Sequence, residues 1–206
     1  IKLTLKKNGL YGTMPTQLGL LTEITAFAIF SNDLYGSIPS QLGKLTKVHT
    51  HYKLNANGGL SGQIPSEFGL LSMLTRRMFL EANALSGSIP SQFGILTLFT
   101  EQMYLHSNQL SSTIPSELGG WTSMTKYFNL YSNQFTGTIP SELGRLSLIT
   151  KYVLLNDNSL TGSLPSQLGL IIPIKENLYF NNNLLTGSIP SQFGQLAILS
   201  KNVYFS

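Results

Sequence analysis

The sequence predicts a solenoid: a chain wound into about eight stacked coils, with a parallel β-sheet along one side. Three observations carry that prediction. A proline-centred phrase recurs eight times, an asparagine recurs in step with it, and an apolar pair precedes each asparagine at fixed distances. The phrases run from "GTMPTQLG" and "GSIPSQLG" to "GSLPSQLG" and "GSIPSQFG", on Pro15, Pro39, Pro65, Pro90, Pro115, Pro140, Pro165 and Pro190. Their spacings are 24, 26, 25, 25, 25, 25 and 25 residues. Such a period marks stacked supersecondary units, none of which buries its apolar side alone.

The first element of each coil is a short strand. Asn8, Asn32, Asn57, Asn83, Asn108, Asn133, Asn158 and Asn183 share one phase, each with apolar residues three and five positions upstream, as in Leu105 and Met103 or Leu130 and Phe128. Apolar residues two apart line one face of a strand. Parallel pairing needs a crossover between strands, which the rest of each coil supplies. The asparagine stands where the chain leaves the strand. A buried turn must find partners for its backbone groups, and a carboxamide brings two donors and an acceptor. Stacked asparagines therefore form a structural ladder. The following glycine frees the turn, the proline holds the residue before it extended, and "SxLGxL" bends back as a short helical turn.

The pattern "LxLxxNxLxGxIPxxLGxL" covers essentially the whole chain and resembles the plant-specific class of leucine-rich repeats. That class occurs in receptor-like kinase ectodomains, polygalacturonase-inhibiting proteins and many secreted or surface proteins of algae and diatoms. The resemblance implies a leucine-rich-repeat solenoid of the α/β horseshoe class. It implies a right-handed twisted superhelix with the parallel sheet on its concave side, a short second sheet at the "GSIP" segments, and 3-10 or helical turns elsewhere. Residues 1–206 then form one solenoid of about eight 24–26-residue repeats. The cysteine-paired caps of plant members are absent, and the chain begins and stops within strands, at Ile1–Leu5 and Val203–Phe205. Open sheet edges of that kind lead us to expect a piece of a longer protein, or ends that meet a partner.

Three departures stand out. From Pro39 onward, 18 residues separate each proline from the next asparagine, against 17 from Pro15 to Asn32. The added residue falls in stretches such as "LTRRMFL", just before the strand, and predicts a bulge or wider corner there. Gly58–Gly59 lengthens one further coil, and Ser112 replaces the repeat glycine once.

Between the inward residues, three columns point out of the sheet. Similar side chains in neighbouring coils lie ~4.8 Å apart and stack into stripes. Six of the nine tyrosines fall in these columns, with Phe30 and Phe79 beside them. The candidate ligand-binding residues are Phe79, Tyr104, Tyr127, Tyr131, Tyr152, Tyr179 and Tyr204, with His106, Arg77, Lys53 and His51. Tyrosine offers large contact area and a polar tip. The plainer account is that aromatic residues suit strands and cover their neighbours.

Other chemistries find little support. Neither a cofactor nor a metal is expected: cysteine is absent, and His49 and His51 have no acidic companion. No nucleophile elbow, phosphate loop or close carboxylate pair occurs, so an enzyme is not expected. Nucleic acid would want cations along the aromatic stripe, whereas residues 1–55 hold six lysines against two acids and residues 56–206 balance seven against seven. No apolar run reaches the ~20 residues that span a bilayer. The reading is a non-enzymatic scaffold that recognises a protein or peptide through its concave aromatic face. Carbohydrate or cell-wall matrix binding and a structural role in a larger assembly are the alternatives. An ice-binding array ranks below these, because no threonine face is apparent. A secreted or cell-surface setting follows from the resemblance. The absence of any N-x-S/T sequon leaves algal, bacterial or organellar settings open.

Overall fold

The computed structural model describes residues 1–196, 200 and 202–204. Among them, nine short strands pair in parallel as one sheet, in chain order: Lys2–Lys6, Ala26–Phe30, His51–Lys53, Arg77–Phe79, Gln102–Tyr104, Tyr127–Asn129, Tyr152–Leu154, Asn177–Tyr179 and Val203–Tyr204. Pairing is in register with the repeat, so Phe27, Tyr52, Met78, Met103, Phe128, Val153 and Leu178 form one inward column. Every one of them is buried, as are Ile29, Leu54, Leu80, Leu105, Leu130, Leu155 and Phe180. Leu3 and Leu5, in the first coil, are only partly buried against the same core. Of the final strand, Val203 and Tyr204 are described, while Phe205 and Ser206 lie outside the described residues.

The asparagine ladder ties each coil to the one before. Asn108 Nδ2 donates to Leu80 O, Leu105 O and His106 O at 3.1, 3.0 and 3.3 Å, and its Oδ1 accepts from Leu85 N–H at 3.1 Å. Asn133, Asn158 and Asn183 repeat that arrangement. The residue before each asparagine adopts positive φ, from Lys7 (52°) through Ala82 (55°) to Asn182 (54°). A left-handed conformation costs ~1–2 kcal/mol at a residue with a Cβ. Asn57 departs from the pattern: its Nδ2 donates to Ile29 O and Leu54 O, yet its Oδ1 is buried without a partner. This is the coil lengthened by Gly58, which turns with φ 66°.

Two sheets line the far side of the strand exit. Tyr11–Thr13, Asp33–Ser37, Gly59–Gln63, Ala84–Gly87, Gln109–Ser112 and Gln134–Phe135 form one, and Thr161–Gly162 pairs with Leu184–Leu185 in the other. A bridge between Thr138 and Thr161 lies between them. Most of these strands run into the first one or two residues of the expected "GSIP" segments, as Asp33–Ser37 and Gly59–Gln63 do, and stop before the isoleucine and proline. Proline has no N–H to give a ladder, so pairing ends before it. Isoleucine before the proline turns inward instead, as at Ile38, Ile64, Ile89, Ile114 and Ile139. Each proline then caps a 3-10 turn, from Thr16–Leu20 to Ser191–Gln195. Successive turns nearly touch: a Cβ on Gly119 would lie 2.4 Å from Glu142 O.

The added residue of the later coils sits at the corner before the strand. Buried Ile24 and Phe27 are three residues apart, but Leu74 and Met78, like Phe99 and Met103, are four apart. Residues just after the buried aliphatic form a second ladder. The hydroxyls of Thr75, Thr100, Thr125 and Thr150 donate to the carbonyl of the coil before, at 2.7, 2.7, 2.7 and 2.8 Å. A threonine column therefore does repeat, contrary to the sequence reading, but its hydroxyls are consumed by backbone.

Two stability tests follow. Replacing Asn108 with alanine removes the carboxamide acceptor of Leu85 N–H and one donor each from Leu80 O, Leu105 O and His106 O, which keep Asn83 Nδ2, Asn133 Nδ2 and Ala82 N–H. It should lower unfolding stability in urea by about 1–3 kcal/mol. Asn8→Ala, at an exposed residue with no coil before it, should change it by less than about 0.5 kcal/mol. Ser112 holds φ 69° where other coils carry glycine, so Ser112→Gly should stabilise the fold by about 1 kcal/mol in the same assay.

Candidate functional site

The outward face of the main sheet brings the sequence-predicted residues together. Lys53, Phe79, Tyr104, Asn129, Leu154, Tyr179 and Tyr204 occupy successive register positions of one column. His51, Arg77, Gln102, Tyr127, Tyr152 and Asn177 occupy the next. Nearly all are half-buried, because each ring is covered by its neighbours along the stack. Ala26, Ala28 and Asn129 depart from the expected exposure. They are buried, being shorter than the side chains beside them.

Ring contacts run from coil to coil from Phe79 to Tyr152. Phe79 stacks on Tyr104, with centroids 4.6 Å apart and planes at 6°. Tyr104 meets Tyr127 edge-on at 5.9 Å, and Tyr127 meets Tyr152 at 5.0 Å. A branch leads from Tyr104 to His106 at 5.7 Å and on to Tyr131, stacked on His106 at 4.3 Å. Tyr179 and Tyr204 make a separate pair at 4.7 Å. At the other end, Lys53 Nζ lies 4.7 Å from the Phe79 centroid and 5.4 Å from that of Phe30, which Lys6 Nζ also approaches at 5.4 Å. Such pairs are worth about 0.5–1.5 kcal/mol each.

The electrostatics follow from this crowding. Burial holds the His106 imidazole down to about 4, so it stays neutral, and pushes the Tyr104 hydroxyl up to about 12. Burial, then the charges of Lys53, Arg77 and Lys2, lowers His51. Lys53 is lowered by burial and by Arg77 and Lys6, with Glu81 pulling the other way. Burial raises Glu81 to about 7 against the opposing pull of its backbone hydrogen bond and of Lys53. Several acceptors on this face are buried without a partner: Oδ1 of Asn55, Asn129, Asn156 and Asn181, and Oε2 of Glu81. A buried acceptor left unpaired costs about 1–3 kcal/mol.

Sequence reasoning missed a charged column at the edge of this face. Arg76, Glu101, Lys126, Lys151 and Glu176 fill the added corner position of consecutive coils. Glu101 is 8% exposed and takes Arg76 Nε at 3.1 Å, Lys126 Nζ at 3.3 Å and Arg77 Nε at 3.7 Å. Burial works to raise its carboxyl, but Lys126 and Arg76 outweigh that and hold it below the ordinary value. Lys151 pairs with Glu176 in the same column. The 25-residue spacing of these charges was the signal available.

Glu81 generates a pH test. Its folded value, about 7, lies above the ordinary 4.5. Between those values the native state keeps a proton that the unfolded chain releases, so its contribution is fully present below 4.5 and is lost as pH rises through 7. Glu81→Gln should therefore raise the melting temperature by about 4 °C at pH 8.5 and leave it nearly unchanged at pH 4.5.

The family model for Leucine Rich Repeat matches residues 100–121, 125–146 and 176–196. No curated protein matches the chain. Among solved structures, the LRR ectodomain of the plant membrane receptor kinase GASSHO1/SCHENGEN3 from Arabidopsis thaliana, in complex with CASPARIAN STRIP INTEGRITY FACTOR 2, is similar at TM-score 0.83 and 36% identity. That alignment covers 98% of this chain and 24% of that one. The plant peptide hormone receptor RGFR1, in complex with RGF2, is similar at TM-score 0.75 and 25% identity, over 98% of this chain and 39% of the receptor. The Arabidopsis receptor kinase HAESA, in complex with the peptide hormone IDA and the co-receptor SERK1, shares the fold at TM-score 0.70 and 24% identity, over 98% and 42%. The chain thus spans less than half the length of each. Its stacked parallel strands, its 3-10 turns and these likenesses make it a leucine-rich-repeat solenoid that resembles the ectodomains of plant receptor kinases.

Proposed function

We propose that the outward, concave face of the main sheet is a recognition surface for a protein or peptide, on a secreted or cell-surface molecule. One observation carries this reading: an unbroken run of rings from Phe79 to Tyr152 lies among buried acceptors that have no partner within the chain. Rings held in place by their neighbours have little freedom left to lose on binding, and tyrosine-rich surfaces are favoured for that reason. Unpaired amide oxygens invite N–H donors, which an extended peptide carries at every residue other than proline. The fit in size is reasonable. Eight coils at ~4.8 Å span ~38 Å, the reach of about twelve extended residues. Two similar ectodomains were solved with bound partners, one of them named as a peptide hormone receptor. No carboxylate pair or nucleophile stands among these rings, and a binding role rather than catalysis is the reading supported.

The test is a display library of random twelve-residue peptides panned against the protein. Peptides selected this way should lose at least about tenfold in affinity on Tyr104→Ala or Tyr152→Ala, with the circular dichroism spectrum and melting temperature little changed. Gln92→Ala, on an exposed 3-10 turn, should leave affinity unaltered. Selected peptides indifferent to both tyrosine changes would overturn this reading. Glycan-array binding abolished by the same changes would replace the peptide with a polysaccharide.

A further inference from the structure

The face is electrically lopsided. Lys2, Lys6, His51, Lys53, Arg77 and Glu81 lie on its first four coils. From Gln102 to Tyr179 its three outward columns carry only tyrosine, asparagine, glutamine, leucine and His106, and that histidine is neutral. Elsewhere only some charges pair: Lys47 with Glu23, the Arg76, Arg77 and Lys126 group with Glu101, and Lys151 with Glu176, while Lys7, Lys44, Arg145 and Lys175 make no ion pair among the described residues. Lys2, Lys6 and Lys53 belong to no ion pair among the described residues.

Lys6 and Lys53 instead share one ring. Both ammonium groups lie 5.4 Å from the Phe30 centroid, and Lys53 reaches on to Phe79 at 4.7 Å. Two cations over one ring repel each other, and the ring's face compensates only part of that. The acid that acts on Lys53 is Glu81, one coil on, whose Oε2 is buried without a partner. The titratable groups coupled to Glu81 are Lys53 from the coil before and Tyr104 from the coil after, and His106 holds the equivalent position one coil on. Positive charge on these coils thus exceeds what the chain neutralises, and it sits where a ligand along the ring run would end.

We propose that the Lys6–Phe30–Lys53 end of this face is a subsite for carboxylates of the bound peptide, so that the partner is a peptide with an acidic end and a neutral, aromatic-compatible remainder. This rests on the reading of the face as a peptide-binding surface and adds the chemical class of the peptide. A carboxylate takes charge-assisted hydrogen bonds from these ammonium groups and offsets the repulsion between them. Glu81 sets the strength of the subsite: ionised, it competes for Lys53; protonated, it leaves Lys53 to the ligand. Acidification through neutrality therefore tightens binding of the acidic end, while the peptide's own side-chain carboxylates, near 4, stay charged.

The same display library provides the test, read as composition and as affinity. Selected peptides should be enriched in Asp and Glu at one end, or should place a free C-terminal carboxylate there. Resynthesis with an amidated terminus, or with Gln and Asn for Glu and Asp, identifies which carboxylates count. Lys6→Gln and Lys53→Gln should each weaken the acidic peptides about tenfold and their neutralised counterparts less than about twofold. Glu81→Gln should tighten the acidic peptides at pH 8 and erase the difference in affinity between pH 8 and pH 6. Selection of peptides without an acidic bias, still dependent on Tyr104, overturns this inference and leaves the peptide-binding reading standing. Selection indifferent to Tyr104 overturns both. Acidic peptides displaced equally well from wild type and Lys53→Gln by polyglutamate or by polygalacturonate show diffuse charge attraction and likewise overturn the subsite.

Discussion

The molecule depends on one constraint: no coil can enclose its own strand. A strand of three to five residues has one buried face and two unpaired backbone edges, and it is stable only between copies of itself. The apolar half of that requirement is met by columns such as Phe27, Tyr52, Met78 and Met103, which stay fully buried because each lies between its equivalents above and below. The polar half is met by the asparagines, whose Nδ2 bridges the carbonyls of two coils at once. The two halves interlock at the strand exit. Turning there requires a left-handed residue in every coil, and each of those residues carries a Cβ. Strain of that size persists only where the surroundings over-determine the backbone, and the side-chain bridge one residue later does so.

This explains how much could be read from the sequence. Leu105, Asn108 and Pro115 were legible because each obeys a demand that recurs identically in every coil, and recurrence is what a sequence displays. Boundaries that depend on a missing donor were harder: the second sheet stops short of Ile114 because Pro115 cannot pair, so only the start of the conspicuous segment is strand. The outward face was legible as a set of columns but not as a surface. Asn129 and Ala28 belong to outward columns by period, yet lie buried, because exposure depends on the height of neighbours 25 residues away in sequence. Nor does period foretell that His106 and Tyr131 lie flat against each other at 9° while Tyr104 and Tyr127 meet edge-on at 67°. The glutamate at 101 was invisible for another reason. It occupies the position that breaks the 24-residue pattern, and its meaning appears only when Arg76 and Lys126 are seen to hold that position in adjacent coils.

The coil spacing that serves the core also shapes the face. Neighbouring strands lie ~4.8 Å apart, close to the separation at which aromatic rings attract. Side chains repeated in an outward column therefore rest on one another whatever their function, as Phe79 and Tyr104 do. Ring stacking on this face is then partly a by-product of the architecture, and stacked rings alone would be weak grounds for assigning a role. The polar atoms beside them argue differently. Amide oxygens at Asn55, Asn156 and Asn181 are buried by the same crowding and receive nothing from the chain in return. Inward asparagines at equivalent depth are, Asn57 excepted, bonded on both ends. Tyr52 Oη, Asn57 Oδ1 and Glu101 Oε2 are left open off this surface, but the open amide oxygens otherwise gather on it.

Charge obeys the same division. At the corner, Arg76, Glu101, Lys126, Lys151 and Glu176 pair within a single column, three cations against two carboxylates, and Arg77 beside the column joins Arg76 and Lys126 around buried Glu101. The chain is therefore able to pair its charges at one-coil spacing, and it does so immediately beside the outward face of the main sheet. On that face it does the opposite. Lys6 and Lys53 are brought to a shared ring with no carboxylate between them, and the glutamate nearest to Lys53 sits in surroundings that oppose its ionisation. Surface lysines usually reach into water and avoid such crowding. A solenoid that pairs charges at the corner, and leaves lysines unpaired on the adjoining outward face, keeps the residues that hold the coil together apart from those that do not.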